Sequence, residues 1–142
     1  MSEEKVEIIL ALYKAFNRRD EDALLALYDP DVEVLSFAAA VEGSPTFVGH
    51  DGVRTWFRNL VETLSMTIEP GGFLPYRRYV MTIPQIHIEA GDGLATTHEQ
   101  GIVYEIRNGL IYRSLGYKDP ATAFIRLGKL LGGDSDVPAL SE

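Results

Sequence analysis

The sequence contains no cysteine, only three histidines, and 13 basic side chains against 21 acidic ones. Without cysteine, the chain has neither disulfides nor thiolate ligands for a metal. The histidines are dispersed, with no His-x-His or His-x-x-x-His pair, so we expect no metal site. The formal net charge of −8 argues against polyanionic partners. We therefore expect no binding to nucleic acid or to an anionic membrane surface.

The sequence also lacks a secretory signal pattern and an apolar run long enough to cross a membrane. Together with the absence of cysteine, this predicts a soluble, cytoplasmic protein. A length of 142 residues and a hydrophobic fraction of 46% are typical of one globular α+β domain. A chain of this length buries roughly two-thirds of its unfolded surface.

The clearest local signal is a β-hairpin at Asn108-Gly109, which lies between two runs of alternating apolar residues. Both residues accept the positive φ angles of a type I′ turn. The alternation of the first run puts Ile102 and Tyr104 on one face of the strand, and it extends back to Gln100 and His98 on the same face. Polar side chains on the buried face of a sheet predict a pocket.

Periodicity and capping signals predict four helices. Two lie close together at the N-terminus, the third begins at Asp51, and the fourth begins at Asp119-Pro120. Val32 to Phe37 reads as the first strand, and four more strands follow the third helix, with Pro84 implying an edge position or a bulge. The predicted order is ααβαββββα, in which three helices cover one face of a curved antiparallel sheet to form a cone with an apolar interior.

Several strings carry a resemblance to a known family: Ala15-Phe16-Asn17 with Asp20 and Ala23, the run from Leu27 to Val32, the run from Phe47 to Phe57, and the run from Arg107 to Pro120. Together with the element order, they resemble the nuclear-transport-factor-2-like superfamily in its SnoaL-like branch. The resemblance implies a single SnoaL-like domain over residues 1–132, folded as a cystatin-like α+β barrel. Residues 133–142 follow the last predicted helix, and we expect them to form a disordered tail. The superfamily includes polyketide cyclases, ketosteroid isomerases, epoxide hydrolases, dehydratases and proteins that only bind or assemble, so function must be argued from the site.

Few of the catalytic residues known in this superfamily have counterparts in this sequence. The positions that resemble the catalytic groups of ketosteroid isomerase hold Ser36, Leu12 and Ile102, and none supplies the required Asp or Tyr. The Asp-Arg-Asp set of limonene-type epoxide hydrolases is absent from the late strands. Tyr13 resembles the first-helix tyrosine of scytalone dehydratase. Asp119 lies where SnoaL-type cyclases carry an acid/base aspartate, but its position before a proline favours helix capping.

His98 is the candidate catalytic residue, because an imidazole on the pocket face can act as an acid or base near neutral pH. A polar residue that lines the pocket without catalysing a reaction, and a purely structural histidine, both fit the same position. Tyr28 and Tyr104 are candidate hydrogen-bond donors to a ligand, and they also fit core positions with satisfied hydroxyls. The predicted ligand contacts are Tyr13, Tyr28, Ser36, Trp56, Phe57, Gln100, Ile102 and Tyr104.

Two functions remain open at this point. The first is a cofactor-free acid/base isomerase, cyclase, dehydratase or hydrolase that acts on a small hydrophobic molecule. The second is a non-catalytic module that binds a small molecule or acts as a dimeric scaffold. In either case we expect a homodimer formed through the sheet face opposite the pocket, because Val103, Leu35 and Phe37 lie on that face.

Overall fold

The computed structural model describes residues 2–35, 46–89 and 93–132. This part of the chain contains four helices and a seven-stranded sheet. The helices are α1 (Ser2–Asn17), α2 (Glu21–Leu25), α3 (Gly49–Leu64) and α4 (Pro120–Gly132). The strands are β1 (Tyr28–Leu35), β2 (Thr46–Val48), β3 (Thr67–Tyr76), β4 (Tyr79–Glu89), β5 (Ala95–Glu99), β6 (Gly101–Arg107) and β7 (Leu110–Tyr117).

The predicted α+β fold is confirmed, with two strands more than the sequence indicated. The first is β2, a three-residue strand that pairs with β1. The second is β5, which the sequence pattern joined to β6 and which a single residue, Gln100, separates from it. Strand β1 also begins at Tyr28 rather than Val32, because Tyr28 pairs with Ile111 before a register shift.

The sheet is curved and does not close. Its strands run in the order β2-β1-β7-β6-β4-β3, with β5 also paired to β4. The pairing of β1 with β7 is parallel, and all others are antiparallel, so the sheet is mixed rather than purely antiparallel. A parallel pair joins strands distant in sequence, which local patterns do not reveal.

Local turn and cap chemistry follows the sequence closely. Asn108 and Gly109 have φ angles of 53° and 78°, as a type I′ hairpin requires. The carboxylate of Asp119 accepts a hydrogen bond from the backbone N–H of Thr122 at 2.7 Å, which caps α4. The start of α3 differs from the prediction, since the helix begins at Gly49 and Asp51 lies within its first turn.

Pro84 lies where the partner of β4 changes. Residues up to Thr82 pair with β6, and residues from Gln85 pair with β5. The expected irregularity is present in the facing strand, where the register of β3 shifts between Glu69 and Gly72. Because Pro has no N–H to donate, a break in both ladders is the position where β4 tolerates it.

The side chains of strand β6 alternate between the two faces of the sheet. Its inward residues Ile102 and Tyr104 belong to the core beneath α1 and α3, whereas Val103 packs with Ala123 and Leu127 of α4 on the outer face. Val103 is completely buried. The expectation that Val103 is available to a second copy is therefore wrong, because α4 covers it within the chain. The placement of Leu35 on the outer face is also wrong, because Leu35 at the end of β1 lines the inner cavity. Phe37 lies outside the described residues.

Candidate functional site

The candidate site is a partly enclosed cavity between the inner face of the sheet and helices α1 and α3. The space within it that the centre of a water-sized sphere can reach is about 40 Å³. It is lined by Leu12, Tyr13, Phe16, Val34, Leu35, Trp56, Leu60, Met66, Ile68, Ile86, Gln100, Ile102, Tyr104, Ser114 and Gly116. Three wider depressions are more open to solvent: one has charged α1 residues in its wall, one has polar sheet residues, and one, between β3, β4 and α4, is apolar. The inner cavity is less open than these depressions and combines an apolar wall with a few polar groups, so it resembles a ligand site most closely.

The described wall of the cavity contains no Asp, Glu, Lys, Arg or His side chain. The two positions that resemble catalytic groups of ketosteroid isomerase and fall in the described part, Leu12 and Ile102, are both in this wall and are both apolar. The third, Ser36, lies outside the described residues. In such surroundings a charged ligand group has no partner of opposite sign in the described wall, so its desolvation is uncompensated.

Polar groups on the wall form a chain of hydrogen bonds. The hydroxyl of Tyr104 donates to that of Tyr13 at 3.2 Å, and the Tyr13 hydroxyl bonds the Thr82 hydroxyl at 3.0 Å. Ser114 bonds Tyr104 from the neighbouring strand. These bonds join α1 to three strands of the sheet and hold the tyrosine hydroxyls in fixed positions.

The buried tyrosines remain protonated at neutral pH. Burial raises the pKa of Tyr13 to about 12, although hydrogen bonds from Thr82 and Tyr104 oppose the rise. Burial also raises the pKa of Tyr104 and that of Tyr28 above the ordinary value. All three hydroxyls therefore act as neutral hydrogen-bonding groups and not as bases.

Two buried polar atoms have no hydrogen-bond partner in the described part of the chain: the hydroxyl of Tyr28 and the indole Nε1 of Trp56. Tyr28 is in the inner core but not in the cavity wall, whereas Trp56 is in the wall. Buried polar atoms of this kind are usually hydrogen-bonded, so we expect a water or a ligand to bond to each of them.

Gln100 links the cavity to His98. Its side chain lines the cavity, and its Nε2 lies 3.4 Å from the Nε2 of His98. His98 pairs with Ile86 in the ladder and so lies on the inner face, as predicted, but it is half-buried and outside the cavity wall. The side chain of Gln100 thus lies between the imidazole and the cavity.

Of the remaining predicted ligand contacts, five line the cavity and one does not. Tyr13, Trp56, Gln100, Ile102 and Tyr104 all line the cavity. Phe57 does not, because its ring packs edge-on against Phe16 with 5.2 Å between centroids.

Ser114 and Met66 were not predicted. Counting back from the hairpin turn pairs Tyr104 with Arg113, but a register shift between Glu105 and Ile106 pairs it with Ser114 instead. Met66 follows the left-handed cap residue Ser65 at the end of α3, where no periodic pattern marks an inward side chain. Leu60 is a cavity residue that the sequence could have predicted, since it lies one helical turn after Trp56.

Other titratable groups have local partners. His50 bonds the carbonyl oxygen of Tyr28 at 2.9 Å. On the outer face, His87 contacts Thr97 at 2.8 Å and Glu69 at 3.0 Å. Hydrogen bonds from the backbone and side chain of Thr122 lower the pKa of Asp119, which agrees with its capping role. In the described ranges, no group of three or more His, Asp or Glu side chains is arranged to hold a metal ion.

A family model for the SnoaL-like domain matches residues 9–114, well over half of the chain. The chain belongs to the SnoaL-like domain family. A comparison with curated proteins finds no match. Among the described helices, none has the length and apolar character needed to span a bilayer.

Solved structures support the same fold. This SnoaL-like chain is 25% identical to a nuclear-transport-factor-2-like protein of unknown function from Burkholderia pseudomallei, with a TM-score of 0.73 over 89% of this chain and 98% of that one. It is 23% identical to TerC, co-crystallised with polyporic acid, with a TM-score of 0.73 over 84% and 94% of the two chains. It is 17% identical to Rv0760c from Mycobacterium tuberculosis, in complex with estradiol-17β-hemisuccinate, with a TM-score of 0.72 over 82% and 94%.

Proposed function

We propose that the inner cavity of this SnoaL-like protein binds a small, neutral, largely apolar molecule. The observation that carries the proposal is the composition of the described wall, which is mostly aliphatic and aromatic and contains no ionisable group other than tyrosine. Apolar walls with a few fixed polar atoms are typical of small-molecule sites. TerC and Rv0760c, with a similar fold, were each crystallised with a small molecule.

The size of the cavity limits what enters without rearrangement. One water needs about 10–15 Å³ on this measure, so the reachable space of about 40 Å³ corresponds to a few waters. Typical ligand pockets measure roughly 300–1,000 Å³. A ligand with one or two rings therefore requires side chains to move, and Met66 is suited to this because a thioether side chain is flexible.

The test uses the intrinsic fluorescence of Trp56, which is the only tryptophan of the chain and lies in the cavity wall. Naphthalene should change the Trp56 emission saturably, whereas naphthalene-2-sulfonate, a charged molecule with the same rings, should not. Ile102→Phe should fill the cavity and weaken naphthalene binding. Ile125→Phe is the matched control, because Ile125 is exposed on α4.

Two results would contradict the proposal. The first is an emission of Trp56 that naphthalene leaves unchanged up to its solubility limit. The second is equal naphthalene affinity in the Ile102→Phe and Ile125→Phe variants, since this would mean that the probe binds outside the cavity. Thermal unfolding of both variants checks that each is folded.

Acid/base catalysis through His98 is a second candidate function. Its support is the contact of 3.4 Å to Gln100, which connects the imidazole to a residue of the cavity wall. We would identify a molecule that co-purifies with the protein by native mass spectrometry, then follow its chemical change with time. His98→Gln should abolish that change if the imidazole transfers the proton. An unchanged rate in this variant would exclude His98 as the acid or base.

We also propose a homodimer, on revised grounds. The outer face retains exposed apolar side chains at Leu74 and Tyr76 of β3 and at Phe124 of α4. Light scattering at micromolar concentration should give twice the monomer mass, and Leu74→Lys should reduce it. A monomeric mass for the unmodified protein would contradict the proposal.

A further inference from the structure

One residue of the cavity wall, Trp56, carries a donor whose partner is missing among the described residues. Tyr104, Tyr13 and Ser114 bond to one another or to Thr82, and the amide of Gln100 contacts His98. The indole N–H of Trp56 is buried and has no partner in the described ranges. Its environment is apolar, since Phe16 packs against the indole with 6.1 Å between ring centroids.

The indole N–H differs from the other polar groups in the hydrogen bond it can make. Indole nitrogen is a donor only, whereas hydroxyl and amide groups both donate and accept. A buried donor left without an acceptor is costly, and a phenylalanine would fill an apolar wall without that cost. Because Trp56 belongs to the cavity wall, a ligand that displaces neighbouring side chains can supply the missing acceptor.

We propose that Trp56 determines ligand specificity, with its indole N–H donating a hydrogen bond to a carbonyl oxygen of the bound molecule. The inference rests on the proposed function and makes it more specific. The ligand class is a small, neutral, mostly hydrocarbon molecule that carries a carbonyl group. The rest of the wall contacts its apolar part, and the wall itself provides no charged partner among the described residues.

The test compares 1-indanone with indane, which have the same fused rings and differ by the carbonyl group. In protein labelled with ¹⁵N, the only tryptophan gives a single indole N–H signal. Indanone should move the indole proton downfield, as a hydrogen bond to oxygen does, and indane should not. Trp56→Phe should weaken indanone binding by about two- to tenfold more than it weakens indane binding, the range of one net hydrogen bond.

Affinities in the variants come from backbone amide shifts, because Trp56→Phe removes the indole signal. Tyr112→Phe is the control, since Tyr112 packs beneath Arg107, 4.0 Å from ring centroid to guanidinium carbon, and does not line the cavity. It should leave both affinities unchanged. If Trp56→Phe fails to fold, the opposite responses of the indole proton to the two ligands decide the question in the unmodified protein.

The possible failures are distinct. If both ligands bind and Trp56→Phe weakens them equally, or if both shift the indole proton alike, Trp56 does not select the carbonyl, although the cavity still binds ligands. If neither ligand perturbs amides of the cavity wall at millimolar concentration, both this inference and the proposed function are wrong.

Discussion

Replacing Glu105 by Gln tests the ion-pair cluster on the outer face of β6. The Glu105 side chain is 1% exposed and accepts hydrogen bonds from the Nε atoms of three arginines. The distances are 2.7 Å to Arg113, 2.8 Å to Arg107 and 3.2 Å to Arg78. Glutamine keeps the shape of the side chain but removes the charge that all three guanidinium groups face.

The expected loss of stability depends on how deeply Glu105 and its arginine partners are buried. Removing one partner of a fully buried ion pair typically costs about 3–5 kcal/mol. Here the arginine side chains are 29% to 48% exposed, so water and ions partly stabilise them after the change. We therefore expect Glu105→Gln to lower the free energy of unfolding by about 2–3 kcal/mol at neutral pH.

The effect should depend on pH with a defined sign. Burial raises the pKa of Glu105, but hydrogen bonds and charges from Arg113 and Arg107 outweigh burial and hold the pKa below its ordinary value. A carboxyl group with a lowered pKa in the folded state stabilises the protein above its unfolded pKa, about 4.3. This stabilisation is lost as the pH falls through the folded value.

Urea unfolding at pH 7 and at pH 3 measures the difference in free energy between the two proteins. The difference should be full at pH 7 and smaller at pH 3, whereas Glu7→Gln, an exposed control on α1, should change little at either pH. A Glu105→Gln protein as stable as the original at pH 7, or a difference that does not shrink in acid, would refute this account of the cluster.

Two further changes test buried positions of the core. Tyr28→Phe should raise the free energy of unfolding by about 1 kcal/mol, because it removes a buried hydroxyl without a partner in the described ranges; a loss of stability by urea unfolding would mean that this hydroxyl is bonded. Gly101→Ala should lower it by about 1–3 kcal/mol, since a Cβ there would lie 2.4 Å from the Cβ of Ala123 on α4. Gly72→Ala, with no atom within 4 Å of its Cβ, is the control, and equal effects at both glycines would contradict the close approach of α4 to β6.

The sequence predicts the features whose cause is local. The Asn108-Gly109 turn and the Asp119 cap depend on a few neighbouring residues, and both are present in the structure. The inward face of β6 follows equally from strand alternation, because Ile102 and Tyr104 obey a period of two up to the start of the strand.

Features that depend on segments distant in the sequence could not be predicted from local patterns. The outward direction of Glu105 was predictable, but its burial depends on Arg78, 27 residues earlier in the chain. The register shift beside Glu105 changes the partner of Tyr104 by one position and brings Ser114 to the cavity. The direction of His98 was also correct, but its distance from the cavity depends on the change of strand at Gln100, which alternation alone does not reveal.

The alternation of β6 separates features that favour stability from features that favour binding. On the outer face, Val103 is sealed by α4 and Glu105 is bonded by three arginines. On the inner face, a cavity of about 40 Å³ costs about 1 kcal/mol, and the indole N–H of Trp56, which has no partner in the described part of the chain, costs about 1–3 kcal/mol more. Phenylalanine at position 56, together with larger neighbouring side chains that fill the remaining space, would avoid both costs. Their presence on one face, opposite well-bonded side chains on the other, is the pattern expected where a ligand supplies the missing contacts.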